Sequence, residues 1–469
     1  MQTFEVPGIP PEIARTTTST APDGKIPISR LAGFQVSSAD QGVHGLSAHT
    51  KSVDNRDMSH VFNFFEVSMH SEILVDATEL IQNPIRTGVQ RVVRSLLRHW
   101  PSPTSLKLCR FTPEHGLVTV PSDVLVLLQD PPTQETRSPV ELKEAIGELL
   151  SIEGPRSVPS HLPILVPEVF FDFARCAHYR WLLSQNLSRI SFISFDFIPW
   201  LHPEVIGVRE TAALMPYVQL LRDARHVGFI SAKTRNDFAT RITRQKAITG
   251  PVFTLGADGP GVLPQYWSPQ RTIYLCLGSI DGRKNQDSVI SAFELLWSQG
   301  IAARLVLVGR VFDNGTMDEL AARITRLKAL EPQFTHCSDI SDEELRRLYE
   351  GARATIYVSE IEGFGLPPVE SLHCGVPVIV SQNLPSIAGL PAHGQIRLNS
   401  VNADSIALAV RSLQDDEVAA KLWESATAAP TAKWADMASE VARWVEGNEA
   451  VSAQPGARTD WPDSVMRTA

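Results

Sequence analysis

Glu362-Gly363-Phe364-Gly365-Leu366-Pro367-Pro368-Val369-Glu370 sets two carboxylates around a strand-to-helix turn. The run before it, Ala354-Thr355-Ile356-Tyr357-Val358-Ser359, is apolar and β-branched, as a buried parallel strand is. Pro367 and Pro368 suit a first helical turn, where a missing N–H costs nothing, and Gly375 suits the left-handed position that closes a helix. Val376 to Ser381 supplies the next strand, so residues 354–381 read as one βαβ unit. Its Gly-rich turn belongs at the carboxyl ends of the strands, where open α/β sheets bind ligands. Glu362 in the turn and Glu370 in the helix then face one crevice. Gly363 and Gly365 let backbone N–H groups approach an anion at the helix N-terminus. Acids near a helix start are also ordinary helix chemistry, which accounts for Glu370 alone but not for the whole string.

The turn Gly278-Ser279-Ile280-Asp281-Gly282-Arg283-Lys284-Asn285 follows a second apolar strand and presents two adjacent cations. Arg offers a rigid fork for phosphate oxygens and Lys a compact charge, a pairing suited to a diphosphate. The alternative is a solvated turn with two surface charges.

The chain has 469 residues, of which 43% are hydrophobic, enough for two cores. A net charge of −9 argues against nucleic acid as a partner. The five cysteines, Cys109, Cys176, Cys276, Cys337 and Cys374, show no Cys-x-x-Cys spacing and read as thiols of a reducing compartment. No apolar run reaches the length of a membrane span, and Met1-Gln2-Thr3-Phe4-Glu5 lacks the start of a secretory signal. A cytoplasmic location is expected, with any membrane association peripheral and on the inner face.

Residues 1–70, rich in Pro, Ser, Thr and Gly, read as a flexible extension. A first domain is expected over 71–262. It holds strands at 73–76, 123–128, 164–171, 190–195 and 226–230, and a helix opening at Gly88 with Val89, Val92, Val93, Leu96 and Leu97 on its apolar face. Pro- and Gly-rich residues 258–267 make the linker. A second domain spans 263–430, with a strand at 272–277, a helix over 286–298, a strand at 304–308 and a capping box at Ser341 and Glu344. A helix over 431–446 ends the fold, a return onto the first domain being one course open to it, and 447–469 read as a loose tail. Arg91, Arg94 and Arg98 share one side of the Gly88 helix. Such a stripe suits either a solvated face or peripheral contact with anionic lipid or a lipid-linked acceptor.

These motifs resemble those of the retaining glycosyltransferases with the GT-B fold, the large Glu-x7-Glu family that includes sucrose synthase and many bacterial mannosyl- and glucosyltransferases. Both acids, Gly-Phe-Gly and the following Glu-Ser-Leu-x-Cys-Gly-Val-Pro-Val-Ile fall in register. The family's Gly-x-x-x-x-Arg-Lys-Asn stretch is matched by Gly278, Arg283, Lys284 and Asn285. Arg86-Thr87-Gly88-Val89-Gln90-Arg91 resembles a subgroup's Arg-Thr-Gly-Ile-Gln-Arg, and Asp196-Phe197-Ile198-Pro199 a family stretch after a core strand. Two departures stand out: Phe195 where many relatives carry His, and Ser386 where they usually carry Glu.

The resemblance implies an α/β protein of two Rossmann-like domains facing a central cleft. It implies transfer of a hexose from a nucleoside diphosphate sugar to a saccharide or lipid-linked saccharide acceptor, with retention of configuration. Glu370 would hold the ribose hydroxyls and Glu362 the donor hexose, while Arg283 and Lys284 carry the leaving diphosphate. Gly363, Phe364, Gly365, Leu366, Asn285 and Gly88 would line the donor site, with Asp196 either on the acceptor side or a turn cap. No Asp-x-Asp occurs, so no metal clamp and no cofactor beyond the sugar nucleotide is expected. The Gly-Val-Gln-Arg and Asp-Phe-Ile-Pro segments favour GDP-mannose, with UDP-glucose next. A non-catalytic sugar-nucleotide-binding partner, or a phosphorylase or epimerase on the same fold, is the alternative.

Overall fold

The structure, a computed structural model, describes residues 72–447 apart from 86, 102–105, 130–137, 160, 186–188, 245–249, 260, 263 and 313–316. The expectations for 1–70, for the tail beyond 447 and for Arg86 lie outside the described residues.

Two sheets organise the chain. The first orders its strands β3-β2-β1-β4-β5-β6, with β1 Ile73–Asp76, β2 Leu106–Thr112, β3 Gly116–Thr119, β4 Ile164–Val166, β5 Ile190–Ser194 and β6 His226–Phe229. All neighbours are parallel except the β2–β3 hairpin. The second orders β12-β11-β10-β7-β8-β9, all parallel. Its strands are β7 Ile273–Leu277, β8 Arg304–Val308, β9 Phe334–Cys337, β10 Ala352–Tyr357, β11 Val378–Ser381 and β12 Gln395–Leu398. The strand order reverses beside β1 in one sheet and beside β7 in the other. The crevice between the carboxyl ends of β7 and β10 is therefore the ligand position the topology dictates. The two motif turns leave from the ends of these two strands.

The helix Gln286–Ser298 buries Val289, Ile290, Phe293 and Leu296 on the second sheet, and the capping box at Ser341 and Glu344 starts the helix Asp342–Gly351. Leu366–His373 has its prolines in the first turn, and Gly375 adopts φ +73°. Two expectations are corrected. Residues 123–128 are not a strand but part of the helix Ser122–Gln129, which buries Val124 and Leu128 one turn apart; a short apolar run carries no period that separates strand from helix. The strand expected over 164–171 stops at Val166, before Pro167, which has no N–H for a ladder.

One apolar cluster crosses from the first sheet to the second. It joins Val92, Leu96 and Leu97 of the helix Gly88–Arg98 to Phe364, Leu366 and Val369. It also takes in Phe253, Leu255 and Ala257 of the connection, and Trp434, Met437 and Val441 of the helix Trp434–Gly447. The terminal helix thus packs back on the first half. Ala257 N–H donates to Ala432 O (2.9 Å) and Trp434 N–H to Asp258 (2.8 Å).

Candidate functional site

The two turns at the ends of β7 and β10 are laced together. Arg283 O accepts from Ser359 Oγ (3.1 Å) and from Glu360 N–H (3.2 Å), and Asn285 Nδ2 donates to Val358 O (3.1 Å). Asn285 itself stands at φ +54° as the cap before Gln286, so its amide joins the turns. Asp281 organises the first turn from within. Its carboxylate accepts from Arg283 N–H (3.0 Å), Arg283 Nε (3.1 Å), Arg283 Nη2 (3.0 Å) and Ser279 Oγ (2.9 Å). Burial would raise the Asp281 carboxyl, but the Arg283 bonds and charge outweigh it and hold it below the usual range. The fork of Arg283 is thereby aimed by a partner two residues away, a signal present in the sequence and not read there.

Lys284 Nζ donates to Glu362 Oε1 and to Tyr357 Oη, the latter at 2.6 Å, and Tyr357 Oη donates to the same Glu362 oxygen (2.8 Å). The cation of one motif and the first acid of the other are thus in direct contact. Burial, followed by the Glu362 charge, pushes the Tyr357 phenol well above its ordinary value, so it stays a neutral donor. Tyr357 closes β10, and the sequence alone shows it only as a strand residue.

Glu370 is 2% exposed, and both its oxygens accept from Arg91 Nη1, at 2.6 and 2.8 Å. Arg91 comes from the helix Gly88–Arg98 of the first half and is engaged by Glu370. Its guanidinium is raised first by the Glu370 charge. Arg98 Nε donates to Gln129 O (3.0 Å), which likewise turns that side chain onto the protein. Gly88 begins the helix behind the cap Thr87, whose Oγ1 accepts from Gln90 N–H (3.3 Å). A Cβ at Gly88 meets nothing within 4 Å, so whatever the glycine leaves room for is not part of the described protein.

Gly363 does the opposite. A Cβ there would lie 2.6 Å from Phe195 O and 2.8 Å from Asp196 Cβ. Its carbonyl accepts from Ser231 Oγ (2.6 Å) and Thr234 Oγ1 (3.4 Å). The loop between the two acids is thereby docked on the ends of β5 and β6. Phe364 and Leu366 are buried in the joint core, and Gly365 at φ +92° caps the helix. Asp196 Oδ1 accepts from Ile198 N–H (3.0 Å), a turn-capping bond, while burial raises its carboxyl against the pull of that bond and of Arg283. Glu362, Lys284, Arg283, Gly363 and Asp196 are thus brought together, with Glu370 about one turn into the helix that follows and held there by Arg91. Ser231 and Thr234 carry no local sequence signal, since their role exists only once two distant turns meet.

Residues 265–429 match the family model described as Glycosyl transferases group 1. The chain is 25% identical over 338 residues to the serotype-specific mannosyltransferase WbdA of Escherichia coli, covering 66% of this chain and 37% of that protein. It is 36% identical over 162 residues to an O-antigen chain mannosyltransferase B of Escherichia coli, covering 33% of this chain and 40% of that one. The chain therefore spans well under half the length of these curated relatives. Among solved structures, Anabaena Alr3699/HepE in complex with UDP and glucose aligns with a TM-score of 0.56 at 16% identity, over 81% of this chain and 100% of that one. Sucrose-phosphate synthase from Thermosynechococcus elongatus aligns with a TM-score of 0.54 at 18% identity, over 81% of this chain and 100% of its own. These two likenesses establish the fold, a GT-B arrangement of two Rossmann-like halves.

Proposed function

We propose that this chain, which carries a Glycosyl transferases group 1 domain over residues 265–429, is a retaining hexosyltransferase that uses a nucleoside diphosphate sugar. The observation that carries the reading is the direct contact of Lys284 with Glu362 at the topological switch point, with Arg283 aimed by Asp281 beside it. A diphosphate placed against Arg283 and Lys284 puts the donor hexose beside Glu362 and the ribose toward Glu370. The bond from the anomeric carbon to the phosphate oxygen breaks as the acceptor oxygen bonds to that carbon on the same face. The acceptor proton passes to the departing phosphate oxygen. Lys284 and Arg283 offset the charge that grows on the diphosphate, and Glu362 orients the hexose and stabilises positive charge at its ring.

Mannose from GDP-mannose is the favoured donor and glucose from UDP-glucose the second. The mannosyltransferase names of the relatives support the first. UDP and glucose in a protein of the same fold support the second only as a fold-level analogy. The acceptor is a saccharide or a lipid-linked saccharide. A thermal-shift series with GDP, UDP and ADP tests the reading, since a ligand of the native state raises apparent stability by mass action. GDP is expected to give the largest shift, and Glu370→Ala to lose most of it while Glu362→Gln keeps it and loses turnover. Equal shifts in wild type and Glu370→Ala would remove Glu370 from the donor site.

A further inference from the structure

We infer that Arg91 is a displaceable cap on Glu370, so that nucleotide binding and the grip of one half on the other compete for the same carboxylate; this rests on the proposed ribose-binding role of Glu370. Arg91 Nη1 holds both carboxylate oxygens, at 2.6 and 2.8 Å, and leaves Glu370 only 2% exposed. A ribose diol and the Arg91 guanidinium therefore compete for the same two oxygens. The Arg91 side chain is 37% exposed, and the helix that carries it starts at Gly88, where a Cβ would find open space. It therefore has somewhere to go.

A buried carboxylate stripped of its cation partner is strongly unfavourable unless other donors take over. Two such donors stand by. Trp434 Nε1 and Tyr349 Oη are buried and have no hydrogen-bond partner among the described residues. Trp434 Nε1 and Glu370 Oε1 lie 3.3 and 3.4 Å from the point a Cβ on Gly259 would occupy, so the indole N–H and the carboxylate flank one small gap at the connection between the halves. The Tyr349 phenol feels the Glu370 charge as its largest influence after burial. With a ribose diol on one side and this indole and phenol on the other, the Glu370 oxygens regain hydrogen-bond donors after Arg91 leaves. Arg91 is a positioning residue in this scheme: it holds and orients Glu370, and it sets the fraction of protein ready to take a nucleotide.

Titration calorimetry with GDP and UDP, paired with thermal melts of the full chain, tests the cap. Arg91→Met is expected to melt lower without nucleotide, because the bridge between halves is gone. It is also expected to bind nucleotide roughly tenfold more tightly, because the apparent affinity no longer carries the capped fraction. Arg91→Lys keeps a charge but not the fork, and falls between; it also serves should Arg91→Met not fold. In a Glu370→Gln background the Arg91 substitution is expected to leave affinity unchanged. A lower melt with equal or weaker nucleotide binding makes Arg91 a structural bridge or a donor ligand and overturns the cap. So does tighter binding that persists in Glu370→Gln. If wild type binds no nucleotide, the ribose reading fails and the cap with it; if wild type binds and Arg91→Met binds equally, only the cap fails.

Discussion

The two acids of the motif each have a cation as partner: Glu362 has Lys284, and Glu370 has Arg91. The two pairs ask different things of a donor. Lys284 sits on its own half with Glu362 and Tyr357, and a phosphate drawing near adds a second anion to a cation that already has one. That arrangement suits charge that appears late, on the departing diphosphate. Lys284→Met keeps the apolar stem and removes the charge. It is expected to lower kcat more than it raises donor KM, by roughly 2–4 kcal/mol in barrier, as for loss of one oxyanion donor. Arg283→Lys keeps charge but loses the fork that Asp281 holds, and should recover only part of the activity. Steady-state rates with GDP-mannose check both. Wild-type turnover in the two variants would mean that the leaving group is stabilised from elsewhere in the cleft.

At the scale of elements, two glycines in the two halves make opposite demands. A side chain on Gly363 meets the Phe195 carbonyl at 2.6 Å, and a backbone atom cannot step aside, so the loop between the acids must lift from the ends of β5 and β6. Gly363→Val is therefore expected to cost roughly 1–3 kcal/mol of stability, as overpacking does, with a lower melting temperature and weaker donor use together. Gly88→Ala meets no protein atom and should leave the melting temperature unchanged while lowering turnover, if the room at Gly88 belongs to a ligand. The same contrast explains what was legible in the sequence. The βαβ unit around Glu362 and Glu370, the helix Gln286–Ser298, β8 and the Ser341 capping box were all readable. Each is fixed by local chemistry: prolines in a first turn, a glycine at positive φ, a 3.6-residue apolar period. The hairpin β2–β3 gives no clear signal, since Lys107 and Arg110 interrupt the apolar residues of Leu106–Thr112, and the helix Ser122–Gln129 reads as a strand because its short apolar run carries no period of its own. In the sequence Arg91 belongs both to a motif behind Gly88 and to a basic stripe with Arg94 and Arg98. Neither reading reaches Glu370, because the contact joins residues 279 positions apart and exists only when the halves meet.

On the scale of the whole molecule, the first half carries an ionic knot at its own switch point, between β1 and β4. Arg175, fully buried, bonds Asp76 at 2.8 Å and Glu168 at 2.9 Å, and Tyr179 Oη donates to Asp76. Glu168 also accepts from the N–H groups of Glu79 and Leu80 (both 2.9 Å). Burial, working against Arg175, pushes the Glu168 carboxyl up to about 7. Beside the knot, His178 packs between Phe111 and Trp181, and burial lowers its imidazole to about 4. The two groups act on stability with opposite signs. For Glu168, whose folded value lies above its unfolded one, the contribution is full below about 4.5 and is lost as pH rises through about 7. For His178, whose folded value lies below 6.5, the contribution is full above 6.5 and is lost as pH falls through about 4. Over the shared window the proton that the unfolded chain gains at His178 offsets the one that the folded chain keeps at Glu168. Replacing His178 by Gln removes one side of that balance. The stability advantage of wild type over His178→Gln is expected to shrink by about 3 kcal/mol between pH 7 and pH 4, the free energy of a shift of this size in one buried group. Urea denaturation of both proteins across that range measures it. A difference independent of pH would mean that His178 takes up its proton equally in the folded and the unfolded chain, so that burial beside the knot does not depress its imidazole.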